Sequence, residues 1–447
     1  MKIGMDRRAF LGHGAGLALL AAGRSAWSYQ ANQKLNIALV GMGGRGKWFV
    51  DTVPKVQNLV AMCDVDDSKA TYARSELPGV PVFHDFRVML EKMNKGIDGV
   101  IVATPDHTHA AASLAAMKAG KHVYCEKPLT RTVHEARLMR DTSRKQKVAT
   151  QMGNQGAGSN ALVRGVELIQ EGALGEIKET YGFNEDGGPN VKDPPQGQEP
   201  CPSYLKWDLW LGPAKYREFH TRWFRYHPWR DFINSTLGGW GSHHNYLAFM
   251  SLKMGAVWAM PPESKPRILV SAEVSSINRI SFPSWQILRW KIPAREGLPP
   301  ITHTWVNGPG RAAWDRIEEL LGRKLKDWGD KAGGLIVGAK GMVKANGHNV
   351  VMTYLPADAY AGVETQNPKK LPRLSGNEQD WYKAIRGGAP PYGNFENTGP
   401  YWEMLALGNV AAQFEGELEY DPVNCKVVNN PEADALVHAE PRKGWEY

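Results

Sequence analysis

Cysteine is scarce in this chain: Cys63, Cys125, Cys201 and Cys425 are the only four in 447 residues. Their spacing fits neither a metal-ligand set nor a disulfide framework. Cys63 and Cys125 fall in apolar runs, where inert buried thiols are expected, so no metal site is expected. Charge of one sign is never concentrated. The formal charge of +8 is spread along the chain without a basic block, which argues against nucleic-acid binding. Long hydrophobic runs are missing too. The weakly apolar stretch Leu11 to Gly23 is too short to cross a bilayer, so stable membrane insertion is not expected. What remains is a soluble composition, 42% hydrophobic and 22% charged, in a chain long enough for two domains.

Before Leu11 stands Asp6-Arg7-Arg8-Ala9-Phe10. A charged start, a short apolar run and small residues near Ala26 and Ser28 read as an export signal over residues 1–28. The paired arginines followed by Phe-Leu resemble a twin-arginine signal. That route carries folded proteins, which suits a periplasmic or otherwise exported protein holding a nucleotide.

The chain is organised around Asn36 to Gly46. An apolar run, Ile37 to Val40, enters Gly41-Met42-Gly43-Gly44-Arg45-Gly46, a buried strand leading into a G-x-G-x-x-G turn. Gly41 permits the turn, Gly43 lets the backbone approach a pyrophosphate, and Gly46 lets the next helix pack on the strand. That helix is expected from Lys47 to Val53, ended by Pro54. A second strand, Asn58 to Asp64, ends in a carboxylate 18 residues beyond Gly46. At that spacing an acid accepts hydrogen bonds from the adenosine ribose. It also repels a 2′-phosphate, which favours NAD over NADP. A third strand runs from Gly99 through Thr104 and ends in a turn at Pro105, and a helix over 108–119 closes at Gly120. A fourth, Lys121 to Pro128, carries Glu126 and Lys127 at its carboxyl end. Ligands of open α/β sheets bind outside the carboxyl ends of strands. A set of Gly41, Asp64, Thr104 and Glu126-Lys127 in that order therefore predicts a Rossmann domain over 34–150.

These motifs, with Ala103-Thr-Pro-Asp-His-Thr-His109 and Gly120-Lys-His-Val-Tyr-Cys-Glu-Lys-Pro128, resemble the Gfo/Idh/MocA oxidoreductase family. Glucose–fructose oxidoreductase and inositol dehydrogenase typify it. The resemblance extends over the chain beyond the export segment. Trp207 to Pro213, Lys340-Gly341 and Gly399-Pro400 are similar to exported members. It implies a second, α+β domain with an open sheet, a sugar or polyol substrate, and NAD. It also implies that Lys127 stands beside nicotinamide and the substrate hydroxyl, and that Glu126 holds the nicotinamide ribose. A desolvated lysine there has a lowered pKa and can take the hydroxyl proton. His107 and His109 fall by the cofactor on this reading, with packing or helix capping as the alternative.

From residue 151 onward the patterns are those of a large, mostly antiparallel sheet. Strands are expected at 178–183, 268–277, 285–292, 302–306, 334–339 and 350–355. Helices are expected at 160–171, 377–386 and 401–414, the last with Pro400 at its start. In the family such a sheet often forms the subunit interface, which implies a homo-oligomer. Gln155 stands where family members place a substrate contact. Residues 204–246 hold five of the 16 tryptophans, Trp207, Trp210, Trp223, Trp229 and Trp240. Aromatic faces among polar donors suit sugars, and a loop packed by its own aromatics is the bland alternative.

One departure stands out. Family dehydrogenases carry Asp-x-x-x-His on a helix beside the lysine. Here the segment is Gly239-Trp240-Gly-Ser-His243-His244: the histidine is kept as His243, and the aspartate is Gly239. Lys127 and His243 are the expected catalytic pair, with Gln155, Trp240 and His244 as substrate contacts. The expected function is hydride transfer from a sugar, polyol or glycoside to tightly bound NAD. Two alternatives stay open: glycoside cleavage through transient oxidation and elimination, and sugar binding without turnover.

Overall fold

A computed structural model describes residues 34–308, 311–329 and 331–447, so the expected export segment lies outside the described residues. The first unit is a six-stranded parallel sheet. Its strands are β1 (Asn36–Val40), β2 (Asn58–Cys63), β3 (Val82–Phe83), β4 (Gly99–Val102), β5 (His122–Glu126) and β6 (Thr150–Gly153), ordered β3-β2-β1-β4-β5-β6. The central strands are apolar on both faces because helices cover both. Chain order reverses between β1 and β4, which opens a crevice at their carboxyl ends. The helix Asp106–Lys118 turns out of its last turn at Gly120, whose φ of 75° favours glycine. The helix Val133–Gln146 begins in a capping box between Thr132 and Glu135.

The second unit is a nine-stranded sheet. It comprises β7 (Ile177–Asn184), β8 (Ile268–Val274), β9 (Gln286–Ile292), β10 (Ile301–Asn307), β11 (Ala332–Gly338), β12 (Met342–Ala345), β13 (Met352–Leu355), β14 (Glu417–Asp421) and β15 (Lys426–Val427). Their order is β13-β12-β11-β7-β10-β9-β8-β14-β15. All neighbours are antiparallel except β7 and β10. The expected α/β architecture is present. Sequence pattern misses β3, β12, β14 and β15, each five residues or shorter, too short to show a period.

Two prolines behave differently from expectation. Pro54 lies inside the helix Arg45–Val56 rather than ending it. Pro400 lies six residues into the helix Phe395–Ala411, which starts at Asn394, whose side chain accepts from Glu396 and Asn397 N–H. A proline removes one intrahelical bond. Here the helix is buried on nearly all sides, and packing outweighs that loss. It runs between the helix Val133–Gln146 and strands β8 and β9, so it joins the two units. Its Glu403 carboxylate, fully buried, takes both arms of the Arg137 guanidinium at 2.8 Å, the Trp258 indole at 2.7 Å and the Tyr420 hydroxyl at 2.8 Å. Among the described residues no helix is long and apolar enough to cross a membrane.

Candidate active site

A cavity of about 740 Å³ follows the carboxyl ends of β1, β2, β4 and β5. The glycine turn forms its floor. Gly41 has φ 92°, and a side chain there would meet the Ala103 carbonyl at 2.5 Å. A Cβ on Gly46 would reach the Gly41 carbonyl at 2.0 Å. Only glycine lets this turn lie flat against its neighbours. The helix that follows has no acidic residue in its first turn, so its positive end stays available to a phosphate. Met42 contributes its backbone: its N–H donates to Asp64 Oδ2 at 2.7 Å, while its side chain is buried in the apolar cluster with Phe49 and Tyr124.

Asp64 lines the same cavity and takes a second bond from the Asp66 N–H at 3.0 Å. Burial raises its pKa, against those two N–H donors. At the far end, Glu126 accepts from Arg45 Nε at 2.9 Å. The glycine turn thus reaches across to the end of β5. The Arg45 guanidinium stacks on Trp48, 4.0 Å from its ring. A Cβ on Gly153 would sit 2.6 Å from the Glu126 carboxylate, so β6 leaves that carboxylate just enough room. Burial pushes the Glu126 pKa up, and Arg45 and Lys127 pull it down.

Lys127 Nζ donates to the Gly239 carbonyl at 2.9 Å. Burial lowers its pKa, and Glu126 and Asp106 oppose that. The backbone at Gly239 therefore takes the lysine where the family pattern places an aspartate. A Cβ on Gly239 would meet nothing within 4 Å, so glycine is not a steric requirement there. The carbonyl is presented by a wide turn, Leu237–Gly241, with π-type hydrogen bonding.

Gly41, Gly43, Gly44, Arg45, Asp64, Thr104, Pro105, Glu126, Lys127 and Gln155 line this cavity. His107 and His109 lie beneath it. His107 Nε2 donates to the Trp210 carbonyl at 2.9 Å, and burial pulls its pKa down to about 4. His109 holds two carbonyls, Pro128 through Nδ1 at 2.7 Å and Thr104 through Nε2 at 2.8 Å. A carbonyl only accepts, so both ring nitrogens carry protons and the ring is an imidazolium. Burial lowers its pKa, but Cys125, Asp106 and the Pro128 carbonyl raise it more, to about 10. His109 thereby ties the end of β4 to the turn that carries Lys127.

The cavity roof comes from the aromatic segment. Leu209, Trp210, Phe224, Tyr226 and His227 face the same space as Asp64 and Lys127. Two backbone bonds attach this segment to the end of β2: Lys206 N–H to Val65 O and Asp67 N–H to Tyr204 O, both 2.9 Å. Trp207, Trp210 and Trp229 are buried in a cluster of their own, so most of these aromatics pack rather than present faces. Trp240 is the exception at 40% exposed. It lines a neighbouring groove of about 400 Å³ that shares Gly239, His227 and Ser235 with the main cavity.

Behind Gly239 and Trp240 stand His243 and His244, each 1% exposed. His243 Nδ1 lies 2.7 Å from Asn154 Oδ1, and its carbonyl accepts from Asn349 Nδ2. His244 Nδ1 bonds the Phe183 carbonyl at 2.9 Å, and burial takes its pKa to about 3. His348, from the loop between β12 and β13, brings its ring to 4.8 Å from that of His243. Sequence reasoning did not find Asn154, His348 or Asn349 as site residues. Asn154 carried a usable signal, a polar residue just past the carboxyl end of β6. The other two sit in a loop more than a hundred residues beyond His243, with no local pattern.

Residues 35–154 match the family described as oxidoreductase, NAD-binding Rossmann fold, Gfo/Idh/MocA. Levoglucosan dehydrogenase of Pseudarthrobacter phenanthrenivorans is 30% identical over 158 residues, 32% of this chain and 39% of that protein. A glycosyl hydrolase family 109 protein of Solibacter usitatus is 29% identical over 193 residues, 39% of this chain and 43% of that protein. The chain thus spans about two fifths of the length of these curated relatives. Among solved structures, levoglucosan dehydrogenase with NADH and L-sorbose shares the fold at TM-score 0.57 and 17% identity, over 87% of this chain and 99% of that one. WlbA dehydrogenase of Bordetella pertussis with NADH and UDP-GlcNAcA does so at 0.57 and 15%, over 86% and 98%. Residues 35–154 therefore match the NAD-binding Rossmann domain of that oxidoreductase family, and the solved structures share the fold.

Proposed function

We propose that this chain oxidises a hydroxyl group of a sugar, polyol or glycoside, with NAD held in the cavity between Asp64 and Lys127. The observation that carries the proposal is the half-buried Lys127 amine beside Glu126 at the end of β5, within hydrogen-bond distance of the Gly239 carbonyl. The cavity fits a dinucleotide: its floor admits no side chain at Gly41 or Gly46, and a carboxylate stands at the ribose end. Asp64 would hold the adenosine ribose and repel a 2′-phosphate. The turn Gly41 to Arg45 would carry the pyrophosphate, and Glu126 the nicotinamide ribose. Bound NAD supplies the hydride acceptor. Lys127, as the neutral amine that burial favours, takes the hydroxyl proton and becomes the ammonium as the carbon gives up its hydride. His243 is the second proton-handling group, and Gln155, Trp240 and His244 orient the sugar. Relatives named levoglucosan dehydrogenase and inositol 2-dehydrogenase support this substrate class.

The roof over the cavity supports a slowly exchanging cofactor, since residues 204–206 close on the end of β2. Retained NAD suits export through a twin-arginine-type signal, with the protein working in the periplasm, and the open sheet suits a homo-oligomer. A second reading is favoured by Gly239. Without the usual acid, the site suits redox-neutral glycoside cleavage: the sugar is oxidised, a proton leaves the neighbouring carbon, the aglycone departs, water adds, and the hydride returns. A relative named as a glycosyl hydrolase family 109 protein points the same way.

One assay separates the two. Purified protein is incubated with glycosides and no added electron acceptor, and a denatured extract is assayed for NAD(H). Aglycone release with the nicotinamide unchanged supports cleavage. Accumulated NADH and oxidised sugar support net oxidation. Absence of NAD from the extract, with micromolar exchange on addition, rejects the retained-cofactor reading.

A further inference from the structure

Asn154 follows β6 and is 1% exposed. Its side chain meets two groups. Nδ2 donates to the Ser242 carbonyl at 2.7 Å, and Oδ1 lies 2.7 Å from His243 Nδ1. The first contact settles the second. A carbonyl only accepts, so the face of the amide toward Ser242 is the NH2 group. The oxygen then faces His243, and Nδ1 must carry the proton that joins them. That leaves Nε2 bare in the neutral ring.

The amide is itself fixed on every side. Asn154 O accepts from Asn377 Nδ2 at 2.7 Å. The Ser242 carbonyl that holds Nδ2 also accepts from the Tyr401 hydroxyl at 2.9 Å. Asn349 Nδ2 donates to the His243 carbonyl, so the backbone of the histidine cannot slide away. Rotating the amide by half a turn would set two oxygens against each other at Ser242 and leave the Asn154 side-chain oxygen without a donor, since the Ser242 carbonyl keeps only the Tyr401 hydroxyl.

We infer that Asn154 is the positioning residue for His243, standing in for the missing carboxylate at Gly239 and holding the imidazole as a neutral Nε2 proton acceptor. An aspartate in this role would do something else as well. Its charge would stabilise the imidazolium and let the ring stay protonated. The amide gives the orientation without the charge. The titratable groups pressing on His243 are Lys127 from the end of β5, His244 on the same turn and His348 from the β12–β13 loop. Each is cationic when protonated, and none favours a second positive charge. Burial acts in the same direction and is the largest cause of the lowered pKa of His243.

The inference rests on the proposed role of His243, but its test needs no turnover. The full chain is labelled with 15N and 13C in histidine, and the His243 signals are assigned by their loss in His243→Gln. In the wild type the Nδ1–H tautomer is expected, with any protonation step lying below the ordinary imidazole value of about 6.5. In Asn154→Asp the same tautomer is expected, with the protonation step moved to higher pH than in the wild type. In Asn154→Ala the tautomer preference is expected to fade, and Asn154→Asp restores it. A wild-type ring that titrates near the ordinary value of about 6.5, or one that carries its proton on Nε2, overturns the inference without recourse to any variant. An Asn154→Asp spectrum identical to the wild type overturns it too. Failure of the proposed reaction would leave these signals unchanged, so the two readings fail separately.

Discussion

The two sides of the site handle buried polarity in opposite ways. On the cofactor side charge answers charge: Arg45 reaches Glu126, Glu126 neighbours Lys127, and Asp106 lies near His109. On the side of the second unit His243, His244 and, deeper in the sheet, His303 are held by amides, hydroxyls and backbone carbonyls, and the cations near His243 only oppose its protonation. A buried charge survives when an opposite charge or fixed dipoles replace water. A buried imidazole beside neutral amides loses its proton instead, so burial takes His303 to about 3. The lesson is a division of labour: one half keeps ions, the other keeps neutral acceptors.

The largest expected effect comes from removing the lysine where these halves meet. Lys127→Ala is expected to lower hydride transfer by about 10²–10⁴-fold, while NAD binding, followed by quenching of tryptophan fluorescence, persists. Full activity would end its assignment. Next comes Glu126→Gln, which keeps shape but removes the anion between Arg45 and Lys127. A loss of about 1–3 kcal/mol in denaturant unfolding is expected, since Arg45 retains some solvent. Glu126 raises the Lys127 pKa. Its removal should therefore move the rising limb of the pH–rate profile to lower pH; a limb that stays or moves up contradicts the pairing.

His109 gives a sharper test, because it is a cation beside carbonyls. Its folded pKa is raised, to about 10. The stability it contributes is therefore complete below its unfolded value of about 6.5 and lost as pH rises through about 10. His109→Gln should unfold at a lower denaturant concentration than the wild type at pH 6, with the gap closing toward pH 10. A gap that widens with pH would mean the ring is neutral. The smallest effect expected is at Asp64. Asp64→Ser removes repulsion from a 2′-phosphate and should narrow the preference for NAD over NADP by about tenfold, roughly 1.4 kcal/mol, read as the ratio of the two Kd values.

Much of the cofactor half was legible in one dimension. Gly41 to Gly46, Asp64, Thr104 and Glu126-Lys127 each follow a strand, and parallel strands put all their carboxyl ends on one edge. Local pattern therefore carried spatial information. Propensity alone makes Pro54 and Pro400 helix limits, and packing overrides it at both. The helix through Pro400 continues because two layers enclose it, including Arg140, whose side chain lies about 3.0 Å from where a Gly399 Cβ would stand. For His107 the sequence leaves a place by the cofactor and a packing role both open, and its partners are Trp210 and Phe232, from a segment a hundred residues away.

By itself the amino-acid sequence determined the glycine turn, the order of the strand ends and the carboxylate at the ribose end, because each depends on residues within a few positions of one strand. Only the tertiary structure decided what replaces the aspartate at Gly239. Its backbone carbonyl takes Lys127, and Asn154 takes His243, through contacts spanning 112 and 89 residues. A hydrogen bond needs a donor and an acceptor about 3 Å apart, and no spacing along the chain announces which distant amide or carbonyl the fold will bring there.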